Sequence, residues 1–403
     1  MSIENFKLLI HFKDYRYFWL SNLISGFALW IQATTVGLTM AEITHSPFLI
    51  AMTQFCATFS VVLISLPFAL LVDSFNHFRF LQLTQMIMCA NAIALCLLVR
   101  WIPTPLVLLL GTFIYGMAYA MQLPMGQSKI SQTVPPDKIK LAAFLNNWGA
   151  NIARTIGPLL AGILFVWKGP SMTFLCIAVL MIFPPLYFYL KARGQPLMCA
   201  RINVPILKKR MHLIIADVQS NLIFKRVAFD SFCFFILSTA VWAFLPFYAR
   251  YQLGVGAKTQ SIMVGVIGVG TILAGFIMPN LRKRLSLTQI QIIFTLGASL
   301  SILGLGLTKN VHLAEALFVL FGFVWAAAVA TFNGEIQAGS SIESRARLIA
   351  VYFFVMYSGL ALGNYLSAVG LSYLSFPHFC MIVAVLFLLK LVTLSIPQKR
   401  LSI

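Results

Sequence analysis

Ala142–Trp167 reads AAFLNNWGANIARTIGPLLAGILFVW, a long apolar run broken by Asn146, Asn147, Asn151, Arg154, Thr155 and a Gly-Pro step. A helix that crosses a bilayer needs about 20 mostly apolar residues, and this run supplies them. Backbone groups in hydrocarbon must bond within their own segment, so such a run is a helix unless it closes a barrel. Barrel strands alternate polar with apolar over about ten residues, and this run does not. Working outward, similar runs lie at 17–41, 47–72, 80–99, 104–125 and 170–190, and again at 226–249, 259–280, 290–308, 313–338, 348–370 and 376–396.

Composition agrees with that reading. Hydrophobic residues make up 60% of the 403 and charged residues 10%, against about 45–50% and about 25% in soluble domains. Sixty per cent of the chain is about 242 residues, enough for roughly twelve spans of ~20. The expected class is an all-α integral membrane protein of twelve transmembrane helices.

The net charge of +19 invites a nucleic-acid reading, so where the cations fall matters. They form no basic stripe with interleaved aromatics, which speaks against nucleic acid as a partner. Lys7, Lys13, Arg16, Arg79, Lys129, Lys138, Lys140, the group from Lys191 to Arg226, Arg282, Lys283, Arg284, Arg345, Arg347, Lys399 and Arg400 fall on one side of the alternating runs. The other side has Arg100, Lys168, Arg250, Lys258 and Lys309. The positive-inside rule then puts both termini in the cytoplasm of a multi-pass protein. Residues 1–190 are expected as one six-helix bundle, 191–225 as a cytoplasmic central loop drawn to anionic headgroups, and 226–403 as a second bundle.

The N-terminal stretch is charged up to Arg16 and has no small-residue cleavage site before the first run, which argues against a removable signal peptide. None of the seven cysteines forms a C-x-x-C pair, so neither a disulfide framework nor a metal site is expected. No G-x-x-x-x-G-K-[ST] loop occurs, and no cofactor or enzymatic activity is expected.

The two sets of six look duplicated. Ala28-Leu29-Trp30 in the first run corresponds to Ala240-Val241-Trp242 in the seventh. The turn at Asp73 corresponds to the basic turn Arg282-Lys283-Arg284, and Gly157, Pro158 and Gly162 in the fifth run to Gly359, Gly363 and Gly370 in the eleventh. Transporters built from repeats place their substrate near the midplane.

With this layout the chain resembles the major facilitator superfamily. The loop Ala69-Leu70-Leu71-Val72-Asp73-Ser74-Phe75-Asn76-His77-Phe78-Arg79 keeps Asp73 and Arg79 of that superfamily's G-x-x-x-D-R-x-G-R-R motif and departs from it elsewhere. Asp14–Leu20, Val134–Asp137, Asn151–Gly162 and Leu245–Arg250 are similar to the branch of bacterial macrolide-efflux proteins and enterobactin-type siderophore exporters. Ala153–Gly162 resembles the antiporter motif G-x-x-x-G-P-x-x-G-G, with Ala153 and Ala161 replacing two glycines.

The resemblance implies export of a small amphipathic organic molecule, a siderophore or macrolide-like compound, across the inner membrane by alternating access. It further implies protons as the coupling ion, the lipid bilayer as surroundings and a monomer as the working unit. The alternative on the same scaffold is an importer of a ferric siderophore or a lysophospholipid flippase.

Arg154 is the leading candidate for contact with that molecule, because an arginine at mid-span costs about 2.5–3.5 kcal/mol or more to insert. Helical spacing puts Asn147, Asn151, Arg154 and Pro158 on one face. The competing reading is a fixed tie to a neighbouring helix. Trp30, Gln32, Gln54, Tyr119, Trp242 and Asn364 complete the expected substrate contacts. Asp73, Arg79, Gly157, Pro158, Gly162 and Glu335 are the expected conformational residues. Asp73 is expected near Arg345 or Arg347 and Glu335 near Arg282 or Arg284, while Asp230 has Arg226 one turn away. Lys390 is expected to snorkel from its span.

Overall fold

The computed structural model describes residues 7–71, 74–194, 196–198, 204–341 and 343–394; Asp73 lies outside them. Apart from an isolated antiparallel bridge between Phe75 and Met198, every regular element among the described residues is helical. After a short helix Lys7–His11 come α1 (Lys13–Ile43), α2 (Pro47–Leu71), α3 (His77–Trp101) and α4 (Pro105–Thr133). The helix ends follow from local chemistry. Asn76 caps α3 by accepting from the backbone N–H groups of Phe78 and Arg79 at 3.0 and 3.2 Å, and Pro105 opens α4 at a position that needs no N–H.

The segment Ile139–Leu180, continued by Phe183–Ala192, would be roughly 80 Å long as a straight rod. A bilayer core is about 30 Å thick. The rod breaks at Gly169, whose φ of 76° is left-handed and suits only glycine without strain, and Pro170 then starts a new helix. The Tyr15 hydroxyl donates to Ala142 O at 2.7 Å, and the Tyr187 hydroxyl donates to Asp14 O at 3.2 Å. Both ends of the segment therefore return to the start of α1. It is a hairpin of two arms, α5 (139–168) and α6 (170–192).

A linker helix α7 (Val204–Ser220) follows. Then come α8 (Leu222–Ser238) and α9 (Ala240–Phe247), with a wide π turn at Tyr248–Gln252, and α10 (Ala257–Arg284). α11 (Leu287–Leu307), α12 (Val311–Ala338), α13 (Arg345–Tyr373) and α14 (Phe376–Leu394) complete the order. A capping box between Ser286 and Gln289 starts α11, and Asn310 caps α12. Ten stretches are long and apolar enough to cross a membrane, one of them the hairpin, and Phe376–Leu391 adds a shorter apolar helix. Counting the hairpin twice, the described residues supply twelve crossings.

Two compact units emerge from the packing. The first takes the chain up to Ile43 and from Cys56 to Leu213, and the second takes Thr44–Phe55 and the chain from Ile214 onward. In the first unit, Tyr15, Phe18, Leu145 and Phe188 pack in a fully buried cluster at the α1–α5–α6 junction. The second unit has a larger aromatic core in which Phe234 meets Phe294 and Phe387 edge to face at 5.0 and 5.6 Å.

The central stretch is more ordered than a loop. Arg210, Ile214 and Asp217 on α7 share one face at helical spacing; Arg210 Nη1 donates to Leu70 O at 2.9 Å, and Ile214 is buried. Asp217 takes the Arg347 guanidinium at 2.6 Å, so the partner of that arginine among the described residues is a carboxylate of the linker helix. Lys390 departs from the snorkelling expectation. Its ammonium is buried, the residue is 5% exposed, and Asp230 lies within its electrostatic reach. Asp230 is also 5% exposed and faces Arg226 at 3.9 Å. An interior carboxylate is a better partner for that amine than a route to the headgroups, because each charge lowers the cost of burying the other.

Candidate functional site

The site is built on α5. Arg154 stands about 21–23 Å along the axis from either end of that arm, too deep for a guanidinium to reach the interface. On its face, Pro158, Ala161 and Phe165 are buried. Ile156, Leu160 and Ile163, roughly half a turn round the axis, are exposed. The arginine therefore points away from the lipid-facing stripe. Its guanidinium carbon lies 5.4 Å from the centroid of the Trp30 ring, a cation–π contact, and Tyr119 on α4 is within its electrostatic reach.

The ring is seated by α1 running parallel to α5. Going up the pair, Tyr15 reaches Ala142 O, Trp19 Nε1 donates to Leu145 O at 2.9 Å, and Asn22 Nδ2 donates to Asn146 Oδ1 at 3.0 Å. One turn past Arg154, a methyl group on Gly157 would come within 2.8 Å of Trp30 Cβ. Gly157 thus lets α1 come close enough for its indole to lie under the guanidinium. Pro158 and Gly162 follow in the buried part of the same arm. Asn151 is half-buried and Asn147 exposed, so the asparagine steps lead outward from the arginine.

Beside this stands a buried amide relay. Ser25 Oγ donates to Gln85 Oε1 at 3.0 Å, and Gln85 Nε2 donates to Gln122 Oε1 at 2.8 Å. Gln32 is 3% exposed, and its Oε1 has no hydrogen-bond partner among the described residues. A buried carbonyl oxygen left in this way is an acceptor waiting for a donor. Gln54 is half-buried on α2, in the segment that groups with the second unit.

In the second unit, the Asn364 side chain is buried and accepts from Thr239 Oγ1 at 2.9 Å, tying α13 to the break between α8 and α9. Trp242, one turn on, is half-buried and lies 6.0 Å from the ring of Trp325 on α12. Glu335 is half-buried at the end of α12. Arg282 donates to Thr331 at 3.1 Å and packs over Gly334, the residue before Glu335. Arg79 donates to Gln82 at 3.2 Å and lies over the Tyr189 ring.

Sequence reading missed Asn146, Gln85 and Trp325. The doubled Asn146-Asn147 step was a visible signal for the first. The other two read as one more amide and one more aromatic inside apolar runs.

Described residues that form helices crossing the membrane twelve times, with an interior arginine on a bendable Gly-Pro helix, have the architecture of a major facilitator-type transporter. The profile of the transmembrane secretion effector family (MFS_3) matches residues 10–400, and the chain belongs to that family. Over 296 residues it is 20% identical to the staphyloferrin A transporter of Staphylococcus aureus (strain NCTC 8325 / PS 47), covering 72% of each chain. Among solved structures it resembles a POT family transporter crystallised with 5-aminolevulinic acid, with a TM-score of 0.77 and 12% identity over 98% of this chain and 97% of that one. A bacterial homolog of the human lysosomal transporter Spinster matches with a TM-score of 0.66 and 16% identity, over 94% and 98%. Those structural likenesses establish the fold. The protein is a multi-pass membrane transporter and not an enzyme.

Proposed function

We propose that this transporter exports a small amphipathic organic molecule of the siderophore class across the bacterial inner membrane by alternating access, driven by proton antiport, with a single chain as the working unit. The observation that carries the reading is Arg154, held over Trp30 at mid-span on the side away from lipid. A cation in that place offers a contact to an acidic or polar group. Trp30, Tyr119, Gln32, Asn147 and Asn151 would offer the substrate ring faces and amides in the first unit, and Gln54, Trp242 and Asn364 are the proposed substrate contacts of the second unit. The Gly157-Pro158-Gly162 stretch would let α5 bend as access changes, with Asp73, Arg79 and Glu335 steadying the cytoplasmic turns. The siderophore class is supported by the staphyloferrin A transporter relative, and the export direction by the likeness of Ala153–Gly162 to an antiporter motif.

The test is a deletion strain grown under iron limitation. Export predicts a metabolite that accumulates in the cytosol and falls in the medium, restored by the intact gene. Normal release with impaired uptake of a ferric siderophore would overturn the direction.

A further inference from the structure

Within the second unit, the end of α11 and the start of α14 touch and then part. They touch at Gly306, where a methyl group would fall 2.5 Å from Cys380 Cβ. Beyond that point, toward Pro377, they leave a cavity of about 150 Å³, and the π turn closes it with Tyr248 and Gln252. Its walls are tied to one another. The Tyr248 hydroxyl donates to Thr308 O at 3.1 Å, and the Tyr248 ring stacks on Phe376 at 5.1 Å and 22°. These contacts fix the turn, the loop after α11 and the start of α14 in place. A mostly apolar cavity of this size takes a molecule about as large as benzene, and π turns recur at functional positions.

The mouth of the cavity borders lipid. Leu296, Leu300 and Leu307 fall on one face of α11 at helical spacing, and all three are exposed. Leu307, at 72% exposure, is both the last residue of that stripe and part of the cavity wall. It also ends the helix, so hydrocarbon gives way to headgroups at this level. Two residues on, Lys309 is exposed and lines the same cavity. The segments that build the site contain no carboxylate, since no Asp or Glu occurs between Asp230 and Glu315 or after Glu343. An apolar slot open to lipid, with a cation at its lip, fits a molecule that carries both a chain and a negative charge.

We propose that this cavity binds an anionic phospholipid, which lays the upper part of one acyl chain against Tyr248 and Phe376 and sets its phosphate at Lys309. The site lies wholly in the second unit. It depends neither on which molecule the protein carries nor on the direction of transport. One cation beside an anionic headgroup changes affinity about fivefold.

The test is native mass spectrometry of the full chain in detergent micelles. The probes are dioctanoyl phosphatidylglycerol, dioctanoyl phosphatidylcholine and glycerol 3-phosphate, which is the charged head alone. The first adduct should form about fivefold more readily with phosphatidylglycerol than with phosphatidylcholine, and glycerol 3-phosphate should give none. Lys309→Ser, at an exposed loop position, should weaken phosphatidylglycerol about fivefold and leave phosphatidylcholine unchanged. Gln252→Trp puts a ring into the cavity and should weaken both lipids. If that variant does not fold, Lys309→Ser alone decides. Equal binding of the two lipids by the wild type, an unchanged preference in Lys309→Ser, or undiminished lipid binding by a folded Gln252→Trp would overturn the site. Displacement of the lipid by glycerol 3-phosphate would also overturn it, in favour of a pocket for a soluble anion.

Discussion

Arg154 is held by a ring face, a nearby tyrosine and its depth in the span, and each suggests a different substitution. Arg154→Ala removes the cation but keeps the helix former, so membrane insertion should persist on an immunoblot of the membrane fraction. Release of the exported metabolite should fall more than tenfold, since a desolvated cation–π contact is worth up to about 2 kcal/mol and a direct charge contact more. Arg154→Lys keeps the charge and loses the planar fork, and should recover part of the activity. Unchanged release in the alanine variant would show that the arginine is only a tie between helices. The buried pair of the second unit behaves differently. Lys390→Met leaves Asp230 with Arg226 at 3.9 Å and should cost little stability, whereas Asp230→Asn takes a carboxylate from the buried ammonium and should cost about 3–5 kcal/mol, much of it recovered in Asp230→Asn with Lys390→Met in a thermal-shift assay. Sequence alone shows a lysine within a few residues of a span end, for which snorkelling is the simplest solution. The partner sits on a helix about 160 residues earlier, and only packing brings it close.

Helix pairs in lipid are held by close backbone approach more than by hydrophobic exclusion, and the glycines show where the approach matters. On α10, a methyl group at Gly270 would fall 2.1 Å from Val319 O, and one at Gly322 on α12 would fall 2.0 Å from Ile267 O. Five residues from Gly270 on the same helix, Gly275 has nothing within 4 Å of that position. Gly270→Ala should therefore destabilise by about 1–3 kcal/mol or more, as backbone must move. Gly275→Ala should be neutral or slightly stabilising, because alanine is about 1 kcal/mol the better helix former. Thermal unfolding of the two variants in one detergent checks the contrast. The sequence shows both glycines and not which one meets a neighbour. At this scale the apolar runs, including the division between 142–167 and 170–190, were legible, because each is a local property. The linker helix Val204–Ser220 was not: its outward side carries Lys208, Lys209 and His212 and reads as loop, while its inward side has too few apolar residues to stand out. Trp325 was hidden for a related reason, since an aromatic inside an apolar run gives no sign of which rings it meets.

For the whole chain, the side on which each turn emerges depends on parity. If 139–192 crossed once, every later turn would change sides, and Arg282-Lys283-Arg284 would sit with Arg100. The reversal at Gly169 prevents this, because Ala142 and Tyr187 both return to the Asp14–Tyr15 turn of α1. With twelve crossings, Arg100, Lys168, Arg250, Lys258 and Lys309 share one side, and the dense cations, including Lys208, Lys209 and Arg210 on α7, share the other. The bias of positive charge toward the cytoplasm then predicts α7 inside and the loop at Lys309 outside. In a variant freed of its seven cysteines, Lys309→Cys should react with a membrane-impermeant maleimide in spheroplasts, and Ser220→Cys only after permeabilisation; both positions are exposed. Labelling at both without permeabilisation would mean that an even number of crossings, and not three, separates Ser220 from Lys309. Reaction of Ser220→Cys alone would mean either that 139–192 crosses once or that the whole chain is inverted, and Arg100→Cys separates the two, staying reactive from outside in the first case and not in the second.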